Sequence, residues 1–350
     1  LGGTNAHIVL TQAPASAASQ GDADVRALPI VLSAKSPSAL AELRDRYVSF
    51  LEHTDRPLAA IAQTAAIRRN HFAYRAAIVA TTAGDAAGKL ARLARQPQEG
   101  VASTVQEDET AAPRVAFVFS GQGSQYSGMA TALFGAVPVF RDALTACAEL
   151  VERHAGWSPL PLIVGPANDP RIDQTEFTQP CLFTLQYALV CMWRAWGVEP
   201  AMVVGHSIGE FAAAWTAGVM TLEDAVRLVV QRGRLMQRTP VNGGMAALRM
   251  SEAEALARTA FAGGALSVAA INAPRAVVIA GANEVLDQCL ADLEREGQPF
   301  KRLAVSHAFH TPLMRPVLDE FSSAVAAVGL SAPAVTFLPT GAGASGMADV

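Results

Sequence analysis

The sequence predicts an α/β protein with a parallel-sheet core, a smaller subdomain inserted into that core and a small α/β module ahead of it. Three observations lead there. First, two short apolar runs, Arg114-Val115-Ala116-Phe117-Val118-Phe119 and Ala201-Met202-Val203-Val204, each pass directly into a Gly-containing turn, as buried parallel strands that feed helices do. Second, residues 244–305 spell strand, helix, strand, strand, helix, strand. Third, residues 28–95 alternate strand-like and amphipathic segments and are set off by polar stretches at 11–27 and 96–113.

Composition bounds the function. A chain of 350 residues suits two or three domains, and with 51% hydrophobic and 17% charged residues it can bury a large core. A formal net charge of −4 without clustered Lys and Arg argues against a nucleic-acid partner and leaves an acidic small-molecule substrate open. Cys147, Cys181, Cys191 and Cys289 are scattered in apolar surroundings with no C-x-x-C pair, the usage expected of reduced thiols in a cytoplasmic protein with no metal site. No run is long and apolar enough to span a bilayer, so no membrane role is expected. The start, Leu1-Gly2-Gly3-Thr4-Asn5-Ala6-His7, has neither an initiator Met nor a signal-peptide pattern and reads as a cut from a longer polypeptide.

The elements follow in order. Residues 29–33 and 74–80 are strand-like, and 37–53, 57–69 and 86–95 are helical, with Leu40, Leu43, Tyr47 and Leu51 on one face of the first helix. This module offers no reactive constellation. Residues 96–113 form a polar linker, and from 114 to about 238 helices are expected to alternate with short strands. In the inserted subdomain Ser251 starts a helix with Glu254 three residues on, a capping box. Its strand–helix order is that of a ferredoxin-like unit. The expected boundaries are 1–10, 11–112, 113–242, 243–306 and a return at 307–350.

The chemistry centres on Gly205-His206-Ser207-Ile208-Gly209, placed between an apolar strand and a helix. A Gly-flanked serine there is either an ordinary Gly-rich turn or a nucleophile elbow, which exposes the hydroxyl at a helix N-terminus and serves acyl transfer or hydrolysis. Of seven histidines, His53, His71 and His154 read as solvated or structural, and the side chain of His206 should point away from its neighbour. His307 and His310 remain as candidate bases, on a segment that leaves the inserted subdomain and re-enters the core. Arg232 has Leu228, Val229, Leu235 and Met236 three and four residues away, so it sits on a buried helix face, whereas Arg227 and Arg234 read as surface charges. A buried guanidinium requires an anion, either an internal carboxylate or that of a substrate. Gly121-Gln122-Gly123-Ser124-Gln125 lacks a Walker lysine and is better placed to supply one oxyanion N–H, with Ile208 supplying the other.

Taken together, Gly121 to Gln125, Gly205 to Glu210, Gln231 to Gln237 and His307 to His310 resemble, in order and spacing, the malonyl/acyl-CoA:acyl-carrier-protein transacylase family. The nearest branch is the acyltransferase domain of modular type I polyketide synthases, which serve antibiotic and other secondary-metabolite biosynthesis. Gly3-Thr4-Asn5-Ala6-His7 resembles the end of a ketosynthase domain, and residues 28–95 the linker between ketosynthase and acyltransferase. The resemblance implies a hydrolase-like parallel-sheet core and a Ser207–His310 dyad whose imidazole is oriented by a backbone carbonyl expected beyond Val350. It also implies oxyanion donors at Gln122 and Ile208, and Arg232 on the malonyl carboxylate. Gln179, Asn272, His307 and Phe309 would line the pocket. His307-Ala308-Phe309-His310 is similar to the malonyl-type version of a motif that reads Tyr-Ala-Ser-His in the methylmalonyl type, so a bulky Phe309 is expected to crowd an α-methyl group. Leu338-Pro339-Thr340-Gly341 departs from the usual Ser-Asn-Val-Thr-Gly. No bound cofactor is implied. Malonyl-CoA is the expected substrate, and the acyl carrier protein, with its phosphopantetheine arm, and the ketosynthase are the expected partners.

Overall fold

The computed structural model describes residues 27–93, 101–104, 114–166, 168–239, 242–303, 305 and 307–340. The expected ketosynthase remnant with His7 lies outside the described residues. The chain divides into two compact units, Leu1–Ala112 and Pro113–Val350.

In the first unit β1 (Leu28–Ala34), α1 (Pro37–Glu52), α2 (Leu58–Ile67), β2 (Tyr74–Ala80), α3 (Ala83–Leu93) and β3 (Val101–Thr104) follow one another. The three strands form an antiparallel sheet in the order β1–β2–β3. Helix α1 starts where the Ser36 hydroxyl accepts the Ala39 N–H at 3.2 Å, with Pro37 preset for the first turn. Ile30, Leu32, Ile78 and Leu90 fill the core, each contributing roughly 1.5–3 kcal/mol of burial. Strand β3 corrects the expectation of an unbroken polar linker over 96–113. The four residues Val-Ala-Ser-Thr are too short and too polar to signal a strand alone; pairing with the edge of β2 makes them one.

The second unit opens with β4 (Ala116–Phe119), α4 (Thr131–Ala136), α5 (Pro138–Ala155), α6 (Leu160–Ile163) and α7 (Thr175–Ala195). Then come β5 (Met202–Gly205), α8 (Gly209–Thr216) and α9 (Leu222–Gln237). Between β4 and β5 the described residues hold only helices, which corrects the expected regular alternation with strands. The inserted part is β6 (Gly243–Leu248), α10 (Glu252–Phe261), β7 (Leu266–Ala273), β8 (Ala276–Ala282), α11 (Asn283–Arg295) and β9 (Phe300–Arg302). Its antiparallel sheet has the order β7–β8–β6–β9, the ferredoxin-like arrangement. After a 3-10 turn at Pro312–Val317, α12 (Leu318–Ala326) leads to β10 (Thr336–Leu338).

Strand β10 pairs parallel with β5, which pairs parallel with β4, so β5 lies in the middle. A parallel sheet places its ligand site beyond the carboxyl ends of its strands. The segments leaving those ends are Ser120–Gln125, His206–Gly209 and Pro339–Thr340. Val203, Ile208, Ala212, Val226 and Val229 are buried together beneath them, fixing strand to helix.

Candidate active site

The turn after β5 is held from both sides. The His206 N–H donates to the Phe119 carbonyl at 2.9 Å, which ties it to β4. Ser207 takes φ 53°, a left-handed conformation that costs a residue with a side chain on the order of 1–3 kcal/mol. The two flanking glycines make it possible. A Cβ on Gly205 would lie 2.3 Å from the carbonyl of Gly209, and one on Gly209 would lie 2.5 Å from the Phe119 carbonyl oxygen. Helix α8 therefore begins with no side-chain cap, and the Ser207 hydroxyl is turned away from its own helix. The backbone N–H groups of Ile208 and Gln122 have no acceptor among the described residues. The Gln122 side chain reaches Thr175 Oγ1 at 3.5 Å.

His310 also has a positive φ, 59°, and its Nε2 lies 3.0 Å from Ser207 Oγ. The turn that carries it is fastened by Thr311, whose hydroxyl donates to the Ala308 carbonyl at 2.7 Å and accepts the Leu313 N–H at 3.2 Å. Desolvation, then the nearby charges of Arg232 and His206, hold the imidazole below the ordinary histidine pKa. It is thus neutral near pH 7, with Nε2 able to accept a proton from the serine.

Arg232 sits in α9 as its apolar neighbours predict. Its Nη1 donates to Gln179 Oε1 at 2.8 Å and its Nη2 to Ser207 Oγ at 3.3 Å. The guanidinium lies 5.9 Å above the Phe211 ring. Burial lowers its pKa to about 10, opposed by the charge of Glu210, so it remains cationic at neutral pH. No carboxylate among the described residues forms an ion pair with it. Gln179 is itself buried and donates to Met236 Sδ at 3.3 Å, which fixes the amide that steadies the guanidinium.

Arg232 and His310 open onto a cleft of about 220 Å³ with an apolar wall of Leu235, Met236, Met314 and Phe321. None of the four expected pocket residues, Gln179, His307, Phe309 and Asn272, is among its lining residues. His307 is fully buried and bonds through Nε2 to the Thr239 carbonyl at 3.0 Å, which ties the return segment to the end of α9. Phe309 is 6% exposed and packs in a cluster with Met236, Met245 and Met314, stacked on the His307 ring. Its ring packs behind Met236 and Met314, which face the cleft. Asn272 is exposed near the end of β7, with no hydrogen bond to the Ser207–His310–Arg232 group.

Sequence reasoning missed other contacts. Arg234, expected as a surface charge, donates to the carbonyls of His154 and Ala155 and caps the C-terminal end of α5. The wall residues Met314, Leu318 and Phe321 recur at helical spacing after His310, a signal that was available in the sequence. Glu210 and Thr340, by contrast, meet across 130 positions, and no local pattern announces that contact.

Comparison with known proteins identifies the family. Residues 116–344 match the acyl transferase domain family, and residues 29–90 match the CurL-like polyketide synthase C-terminal family. The chain is 37% identical over 356 residues to a phenolphthiocerol synthesis polyketide synthase type I of Mycobacterium marinum, covering 100% of this chain and 17% of that protein. It is 36% identical over 341 residues to erythronolide synthase EryA2 of Saccharopolyspora erythraea, covering 97% and 10% respectively. Thus it spans only a small part of the curated relatives it matches. Among solved structures, the acyltransferase domain from module 8 of the salinomycin polyketide synthase superposes with a TM-score of 0.80 at 30% identity, covering 89% of this chain and 74% of that one. The malonyl CoA-acyl carrier protein transacylase of Coxiella burnetii gives a TM-score of 0.59 at 33% identity, covering 65% and 72%. Strand order, strained serine and family match converge: the chain belongs to the acyl transferase domain family, in the branch carried by modular type I polyketide synthases.

Proposed function

We propose that this unit transfers a malonyl group from malonyl-CoA, through an ester on Ser207, to the phosphopantetheine thiol of an acyl carrier protein on the same or a companion polypeptide. The observation that carries this reading is a cationic guanidinium with no carboxylate partner among the described residues, 3.3 Å from a serine hydroxyl that is itself 3.0 Å from an imidazole.

His310 Nε2 takes the Ser207 proton as Oγ attacks the thioester carbonyl. The oxyanion is held by the Ile208 and Gln122 N–H groups, each worth about 3 kcal/mol. The tetrahedral adduct collapses, the C–S bond breaks, and CoA leaves as the thiol with the proton returned by His310. The carrier thiol then attacks the ester, again with His310 as base, and Ser207 regains its proton. Arg232, steadied by Gln179, binds the free malonyl carboxylate through paired N–H donors and selects against acyl groups that lack one. Phe309 narrows the site for an α-substituent through Met236 and Met314, and His307 holds the segment that presents His310.

Brief incubation with malonyl-CoA or acetyl-CoA, followed by intact-protein mass, tests the reading. Malonyl loads the wild type and leaves Ser207→Ala unmodified. Arg232→Ala slows malonyl loading by roughly 10- to 100-fold, from the loss of about 1.5–3 kcal/mol in hydrogen bonds to a charged group, and leaves acetyl loading little changed. Equal losses for both donors would remove the carboxylate clamp from the account. Rapid release of malonate to water in the presence of a carrier protein would make the unit a hydrolase.

A further inference from the structure

We propose that Thr340 is a positioning residue for Ser207, one that brackets the strained turn by bonding the chain on both sides of it. The inference rests on the reading of Ser207 as the nucleophile. A residue with a side chain keeps a left-handed φ only where its surroundings over-determine it, and at φ 53° Ser207 needs such support.

On the strand side, β10 and β5 pair as Thr336 with Met202, Phe337 with Val203 and Leu338 with Val204. Pro339 comes next and has no N–H to offer. The Gly205 carbonyl is taken instead by the Thr340 hydroxyl at 3.1 Å. On the helix side, Glu210 stands three residues after Ser207, where a carboxylate ordinarily folds back onto the N–H of its own serine. Here Glu210 Oε1 accepts the Thr340 N–H at 3.0 Å. One residue thus pins the chain two positions before Ser207 and three positions after it. Glu210 is held at the start of α8, from where its charge also favours the protonated guanidinium of Arg232. The bracket fixes the direction of Ser207 Oγ toward His310 without touching substrate.

The test compares Thr340→Val, which removes the hydroxyl at constant shape, with Thr340→Ser, which restores it, in the full chain. Pre-steady-state malonyl loading by T340V is expected to slow about 10- to 100-fold, the effect of misplacing a reacting atom by about 1 Å, with KM for malonyl-CoA within about 2-fold of wild type. T340S recovers most of the rate. Unchanged loading by a folded T340V, or a T340V defect confined to KM, overturns the proposal. If T340V loses its cooperative melting transition, Glu210→Ala carries the test, and a wild-type loading rate there overturns the proposal equally. A fluorophosphonate probe, which needs only an aligned serine and base, separates the two readings. Wild type labelled at Ser207 but not loaded by malonyl-CoA means the donor assignment has failed, while the ratio of T340V to wild-type labelling rates still judges the bracket.

Discussion

Two helices in this unit begin with the same pattern, Ser-x-x-Glu after a strand, at Ser207-Ile208-Gly209-Glu210 and at Ser251-Glu252-Ala253-Glu254. At Ser251 the backbone has φ −72° and the box closes on itself. The hydroxyl accepts the Glu254 N–H, and the Glu254 carboxylate accepts the Ser251 N–H at 2.7 Å. At Ser207 φ is +53° and the box is open. The hydroxyl goes to His310 and Arg232, and the carboxylate goes to Thr340. A serine that caps its helix spends its hydroxyl locally and gains stability. A serine bent into the left-handed region gives up the cap and presents the hydroxyl to groups far away in sequence. The glycines decide between the two. Gly205 and Gly209 leave room for contacts that a Cβ would occupy, while Ala253 at the corresponding place in the second pattern needs no such room.

The strongest way to break this contrast is to give the elbow the residue its counterpart carries. Gly209→Ala puts a methyl group 2.5 Å from the Phe119 carbonyl oxygen, so the turn must shift. Malonyl loading, followed by intact mass, is expected to fall by at least about 100-fold. A variant that loads at the wild-type rate would show that the close approach to β4 does not set the serine.

A smaller effect sharpens the contrast through pH. His310 must be neutral to accept the serine proton, and desolvation, with the nearby Arg232 charge, holds its pKa below the ordinary histidine range. Loading should therefore be flat at neutral pH and fall only as the medium drops through a midpoint below the ordinary histidine range. A midpoint above that range in stopped-flow loading rates would contradict the combined effect of burial and the Arg232 charge.

The smallest effect lies at the closed box. Ser251→Ala removes a cap worth about 1 kcal/mol and should lower Tm by about 2–4 °C, with malonyl loading unchanged. A loss of loading there would mean that the inserted subdomain's first helix is coupled to the site more tightly than its local hydrogen bonds indicate.

Much of the molecule was legible because local patterns and tertiary demands agree. The apolar runs became β4 and β5, and the inserted subdomain has the predicted strand and helix order. Arg232 lies on the apolar face that its neighbours marked, since a guanidinium flanked by Leu228, Val229, Leu235 and Met236 has to be carried inward with them. Periodicity could not tell which of two histidines would reach the serine. His307 and His310 stand three residues apart, and only the fold of the return segment buries one on the Thr239 carbonyl and turns the other out at φ 59°.

Local pattern is enough for the α/β class, the Gly-flanked serine before a helix and the inward-facing arginine, because each depends on neighbours within about one helical turn or one strand. What those groups meet is set by contacts between distant parts of the chain. The pairing of β3 with β2, Phe309 behind Met236 and Met314, Arg234 on the end of α5 and Thr340 across the elbow all join positions that no local pattern connects. Their physical reason is common to all four. A hydrogen bond or a packed ring is satisfied by whatever partner the chain's return brings within reach, and that return is set by the burial of the whole core.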